Sequence, residues 1–111
     1  MAAKANIVVD QGTDFTSTIT VEDEDGVTDL TGYSAVGHIR KHYSSETAVA
    51  FTCTFGAPRT NGKLTLSLDR ITTGNMEAGR YVYDVELTSA ANTVTRLVEG
   101  IVTVTPEVTR A

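Results

Sequence analysis

Apolar and polar residues alternate with a period of two along most of this chain. In DFTSTITVED (14–23), Phe15, Ser17, Ile19 and Val21 fall on one face and Thr16, Thr18, Thr20 and Glu22 on the other. Successive side chains of a pleated strand point to opposite sides, so this spacing predicts a strand with one buried face. The same alternation aligns Tyr33, Ala35, Gly37 and Ile39 in 29–43, and Val49, Phe51, Cys53 and Phe55 in 48–55. It recurs with Leu64, Leu66 and Leu68 in 63–69, and with Tyr81, Tyr83, Val85 and Leu87 in 80–88. KANIVVDQ (4–11) reads as a short first strand. TVTRLVEGIVTVTP (93–106) reads as a long last one, ended by Pro106, with Gly100 marking a bulge or a crossing point. Only 70–79 looks helical, and Gly74 limits it to about a turn.

Turn chemistry separates these runs: DEDG at 23–26, Leu30-Thr31-Gly32, SSET at 44–47, GAPRTNG at 56–62 and SAAN at 89–92. Asn61-Gly62 is a strong hairpin signal. About seven strands with turns between them predict an all-β, antiparallel, immunoglobulin-like sandwich, in which residues 1–111 form a single domain. The expected core is Phe15, Ile19, Ile39, Phe51, Phe55, Leu64, Leu66, Leu68, Tyr83, Val85 and Leu87. The first and last strands are expected to be sheet edges. In GRYVYDVEL (79–87), Tyr81 is the candidate for the corner tyrosine that such sandwiches place near this turn.

Composition narrows the picture. With no Trp and a single cysteine, Cys53, neither an antibody-type core nor an intramolecular disulfide is possible. The fold must rest on its core, which is compatible with a reducing compartment. A net charge of −5, with basic residues scattered apart from Arg40-Lys41, argues against nucleic acid as a partner. MAAKANIVVD lacks the apolar region of a signal peptide, and no apolar run is long enough for a membrane helix. A protein made inside a cell, with no membrane contact, is expected.

Candidate chemistry is sparse. Glu22-Asp23-Glu24-Asp25-Gly26, with Asp29 nearby, could offer oxygens to a calcium ion, but the spacing is not that of an EF-hand. A solvated hairpin tip whose charges discourage edge pairing is the simpler reading. His38 and His42 lie ~13 Å apart along an extended strand, too far to share a metal. Cys53 sits among Val49, Phe51 and Phe55 without a basic neighbour, as a buried small hydrophobe does. No serine-nucleophile, phosphate-loop or paired-carboxylate pattern occurs. The reading is therefore not an enzyme: no catalytic, cofactor-binding or metal-ligating residue is singled out, and neither cofactor nor small-molecule substrate is expected. The threonine faces, Thr16, Thr18 and Thr20 with Thr52 and Thr54, read as solvated sheet surface or as a flat docking surface, since uncharged faces cost less to desolvate.

The strings DQGTDFTSTITVEDEDG, DLTGYSAVGHIRK, GRYVYDVEL and TRLVEGIVTVTPEVTR resemble small bacteriophage virion proteins with immunoglobulin-like domains. Similar domains are the amino-terminal domain of lactococcal phage upper baseplate proteins and structural proteins of marine cyanophages. Gln11, Gly12 and Asp14, then Asp29–Gly32 with Arg40 and Lys41, then Gly100–Thr109 carry the resemblance. It implies a non-enzymatic virion structural protein, assembled in the host cytoplasm: an adaptor, attachment or decoration module of the tail, baseplate or capsid. Its partners would be other virion proteins and copies of itself, reached through a sheet face or by strand addition at an edge. Baseplate proteins of that kind continue into a trimerising portion; no coiled-coil or fibre-like segment occurs in this sequence, so head or tail stays open. The alternative is a module for host-surface glycans, with Tyr33, Tyr43 and the 56–62 loop as contacts.

Overall fold

The computed structural model describes residues 3–108, with only the backbone of Asp23. Eleven strand segments follow one another: β1 (Ala3–Lys4), β2 (Ile7–Asp10), β3 (Phe15–Thr20), β4 (Glu22–Asp23), β5 (Gly26–Val27), β6 (Ser34–Arg40), β7 (Val49–Ala50), β8 (Thr52–Phe55), β9 (Lys63–Leu68), β10 (Gly79–Thr88) and β11 (Val94–Thr105). A single helical turn, α1 (Arg70–Gly74), precedes β10. The large sheet runs β1–β11–β10–β6–β7, with β2 beside β1 on β11; the small sheet is β3–β9–β8; β4 and β5 form a separate hairpin. The chain is an all-β sandwich of two sheets.

The seven runs of alternating residues are all present, and two of them are broken for physical reasons. Residues 49–55 change sheets midway: β7 pairs with β6, and β8 with β9. The crossing residue is Phe51, whose N–H donates to the Gly37 carbonyl at 2.9 Å. A Cβ on Gly37 would stand 2.9 Å from the Phe51 ring, so the missing side chain makes room for the crossing. From there Phe51 reaches Tyr83 edge-on, with centroids 5.9 Å apart, and Phe15 at 6.4 Å, which ties the two sheets together.

The N-terminal run is broken at Ala5-Asn6, between β1 and β2. Both segments pair with β11 in parallel, not antiparallel as expected. The last strand is therefore interior to its sheet rather than an edge. Gly100 explains the break. β11 runs through it without interruption, and its one register irregularity comes earlier, where Val85 faces Val98 and Glu86 faces Arg96. A Cβ on Gly100 would collide with the Ala5 carbonyl. That carbonyl accepts a hydrogen bond from Tyr83 Oη at 2.7 Å, and Asn6 Oδ1 accepts from Ile101 N at 3.1 Å in place of a backbone partner.

Eight of the eleven expected core residues are buried, and Phe15, Ile19 and Phe55 pack against them half-exposed. The core also takes Val9, Val21, Leu30, Met76, Val98, Val102 and Val104. Thr73 of α1 is fully buried, its Oγ1 donating to the Thr13 carbonyl at 2.7 Å. Asp69 caps the same turn, accepting from Thr72 N at 2.8 Å. Asn61-Gly62 does end a hairpin, β8–β9, but one closed by the whole 56–62 loop rather than by a two-residue turn. Arg59–Asn61 makes a 3₁₀ turn that Gly62 closes at φ 69°, and a Cβ there would press within 2.8 Å of the Val21 carbonyl. Tyr81 is a corner tyrosine as expected: its Oη donates to the Glu77 carbonyl at 2.7 Å. Thr109, the last residue of the closing motif, lies outside the described residues.

Candidate docking face

The outer surface of the large sheet is built from alternate residues of three long strands. Register sets its rows: Val82 lies between Arg40 and Ile101, Asp84 between His38 and Glu99, and Glu86 between Val36 and Arg96. A shallow groove of about 340 Å³ runs over these rows, lined by Tyr43 as well, while Ile101 stands outside it. Arg96 bridges two acidic neighbours, with Nε 3.2 Å from Asp84 Oδ2 and Nη1 3.7 Å from Glu99 Oε2. Pairs this exposed contribute roughly 0–1 kcal/mol, so their role is to spread charge rather than to hold the fold.

Apolar side chains stand among these charges. Val36 is 54% exposed, Ile101 39% and Tyr43 84%. Tyr43 is held out by a turn that Arg40 organises, its Nη1 donating to the Ser45 carbonyl at 2.8 Å and the Thr47 carbonyl at 3.3 Å. Exposed apolar groups and charges of both signs thus share one face of the large sheet. Periodicity alone could not show this face, because its rows come from strands far apart in sequence.

The opposite surface is different. On the small sheet, register aligns Thr16, Ser67 and Thr52 in one row and Thr18, Thr65 and Thr54 in the next. Thr18 and Thr65 share a hydrogen bond at 3.0 Å, and Lys63 Nζ donates to Thr20 Oγ1 at 2.7 Å. The threonines singled out in the sequence thus form one hydroxyl-covered face.

Other candidates are dispersed. His38 is half-buried on β6 across from Asp84, whereas His42 lies beyond the strand and is exposed. Cys53 is half-buried, and burial pushes its thiol pKa up. The acidic run forms the β4–β5 hairpin, with Glu22 opposite Val27 and Asp23 opposite Gly26. Among the described residues, no three His, Cys, Asp or Glu side chains converge as a metal ion requires. Asp29 is engaged locally. Hydrogen bonds from the Thr31 hydroxyl, at 2.6 Å, and the Thr31 N–H hold its pKa below the usual value.

The glycan contacts expected from sequence do not share one surface. Tyr33 and the 56–62 loop meet at one end of β6: Arg59 Nη1 donates to the Tyr33 carbonyl at 2.8 Å, and its guanidinium stacks 4.3 Å from the Phe55 ring. Tyr43 belongs to the other end, beyond a strand of seven residues, which spans ~23 Å.

No protein-family model matches this sequence, and no curated protein matches it. Solved structures share its fold. An internalin-like protein of Listeria monocytogenes superposes with a TM-score of 0.51 at 17% identity over 94% of this chain, which spans only 28% of that one. CopC from Methylosinus trichosporium OB3b gives a TM-score of 0.52 at 15% identity, covering 99% of this chain and 91% of the other. At such identities the likeness is one of fold: the chain belongs with all-β sandwich domains.

Proposed function

We propose that this chain is a non-enzymatic structural module of a bacteriophage particle that docks on neighbouring particle proteins through the outer face of its large sheet. The observation that carries docking is the set of exposed apolar side chains, Val36 and Ile101 on the strands and Tyr43 in the turn after β6, standing among charges of both signs. The particle assignment rests on the resemblance of the Gln11–Asp14, Asp29–Lys41 and Gly100–Thr109 segments to virion proteins. Many copies in a symmetric assembly make even a modest contact effective, because one docked copy raises the local concentration of the next.

Mass spectrometry of purified particles tests the assignment, and absence of the chain from them defeats it. Val36→Asp and Ile101→Asp test the face. Ile101 is more than half covered and Val36 faces Glu86 across the strands, so each change should cost ~1 kcal/mol, and urea melts should show both variants still folded. Incorporation should nevertheless fall sharply; particles that take up the double variant as well as the parent would rule this face out.

A further inference from the structure

The small sheet ends at β3 with its hydrogen-bonding edge open. Val21 N donates to the Gly62 carbonyl at 2.7 Å, and Thr20 stands opposite Lys63. In an antiparallel ladder hydrogen-bonded and non-bonded pairs alternate, so Ser17 and Ile19 bond to β9 while Thr16, Thr18 and Thr20 direct their N–H and C=O groups away from it. None of these three residues takes part in any other backbone bond among the described residues. The six residues of the edge, FTSTIT, carry no charge and no proline. Natural edge strands are usually protected by such residues, by bulges or by a covering segment.

Beside this edge the sandwich is incomplete. The large sheet is five strands wide and the small one three, and the chain joins them at the far edge where β7 runs into β8, which leaves β1 and β2 projecting past β3. Between them lies a groove of about 450 Å³. Half-buried Ile7, Ile19 and Leu97 line it together with Val98 and Ser17, and Glu22 is its one carboxylate.

We infer that this edge and groove receive one extended segment of a partner polypeptide, which adds to β3 as a fourth strand of the small sheet. An open row of N–H and C=O groups is matched by an extended main chain. The apolar lining selects a segment with apolar residues at alternate positions, and Glu22 favours a basic residue where the segment passes the end of β3. A second copy does not fit. Joining two β3 edges would bring both projecting β1–β2 strands into the same layer. It would also set Asp14 opposite Glu22 when Thr18 faces Thr18, between bodies that each carry a charge of −5. This concerns the binding chemistry of the domain and stands or falls independently of the particle assignment.

Amide hydrogen exchange measured by nuclear magnetic resonance tests it. In the free domain, the amides of Thr16, Thr18 and Thr20 should exchange fast while those of Ser17 and Ile19 are protected. The probe is an octapeptide of alternating valine and threonine, with a lysine at one end or the other. It should slow exchange at the three threonines and shift the resonances of Ile7, Ile19 and Leu97. Thr18→Pro removes the central donor and should weaken binding about tenfold, the loss of one or two main-chain hydrogen bonds. Ser17→Lys keeps every backbone donor but fills the groove, and should weaken binding as much. Three outcomes overturn the inference: no binding at millimolar peptide, binding that leaves the three amides unprotected, or protection without peptide. If that last protection rises with protein concentration, it assigns the edge to a second copy instead.

Discussion

Replacing Gly100 by alanine should destabilise this domain, against the usual sign for a glycine inside a strand. Where nothing blocks the side chain, the change stabilises a strand by ~0.5–1 kcal/mol, because glycine loses more backbone freedom on folding. Here the new Cβ collides with the Ala5 carbonyl, and the N-terminal strand must lift. Three hydrogen bonds depend on that approach: Tyr83 Oη to Ala5 O at 2.7 Å, Ala5 N to Glu99 O at 2.9 Å, and Ile101 N to Asn6 Oδ1 at 3.1 Å. At ~1 kcal/mol each, losing two or three costs about 2–3 kcal/mol, or a fall in Tm of roughly 10 °C or more. Urea unfolding followed by circular dichroism gives the number. A double-mutant cycle tests the cause: Tyr83→Phe alone should cost ~1 kcal/mol, and combined with Gly100→Ala it should cost clearly less than the sum, since both remove the same bond. A Gly100→Ala variant as stable as the parent, or strict additivity with Tyr83→Phe, would refute the reasoning.

Other expectations follow from local contacts. Thr73→Val keeps the shape of a fully buried side chain but strands the Thr13 carbonyl; a loss of ~1–3 kcal/mol in urea melts is expected, and a neutral result would show that water reaches that carbonyl. Tyr81→Phe leaves the ring under Lys41 and removes the bond to Glu77, for an expected loss of ~0.5–1.5 kcal/mol. Asp69 and Asp29 are held below their ordinary pKa of 3.8, Asp69 first by the Thr72 N–H and Asp29 first by the Thr31 hydroxyl. A carboxylate depressed in the folded state stabilises above its unfolded pKa and loses that contribution as pH falls through the folded one. Urea midpoints should therefore drop below about pH 4. Asp69→Asn with Asp29→Asn, which keep an acceptor but do not titrate there, should flatten that drop; an unchanged pH profile would exclude these two groups as its source.

Local alternation was enough to settle the class of fold and most of the core. Period two needs only local geometry: a residue such as Leu66 or Val85 faces inward because its neighbours on the same strand face outward. The Tyr81 corner and the short turn after Asp69 were legible for the same reason, since each closes within a few residues. Contacts between residues distant in the chain depend instead on which strands become neighbours. Val9, Val102 and Val104 belong to the core because β2 lies parallel against β11, a pairing that alternation does not encode. Gly100 could be read as a bulge from the strand alone, yet its reason lies in Ala5, far away in the chain. The open β3 edge, the groove beside it and the rows of the outer face likewise depend on which strands are neighbours, and strand order is set by the closure of both sheets over one interior rather than by any segment alone.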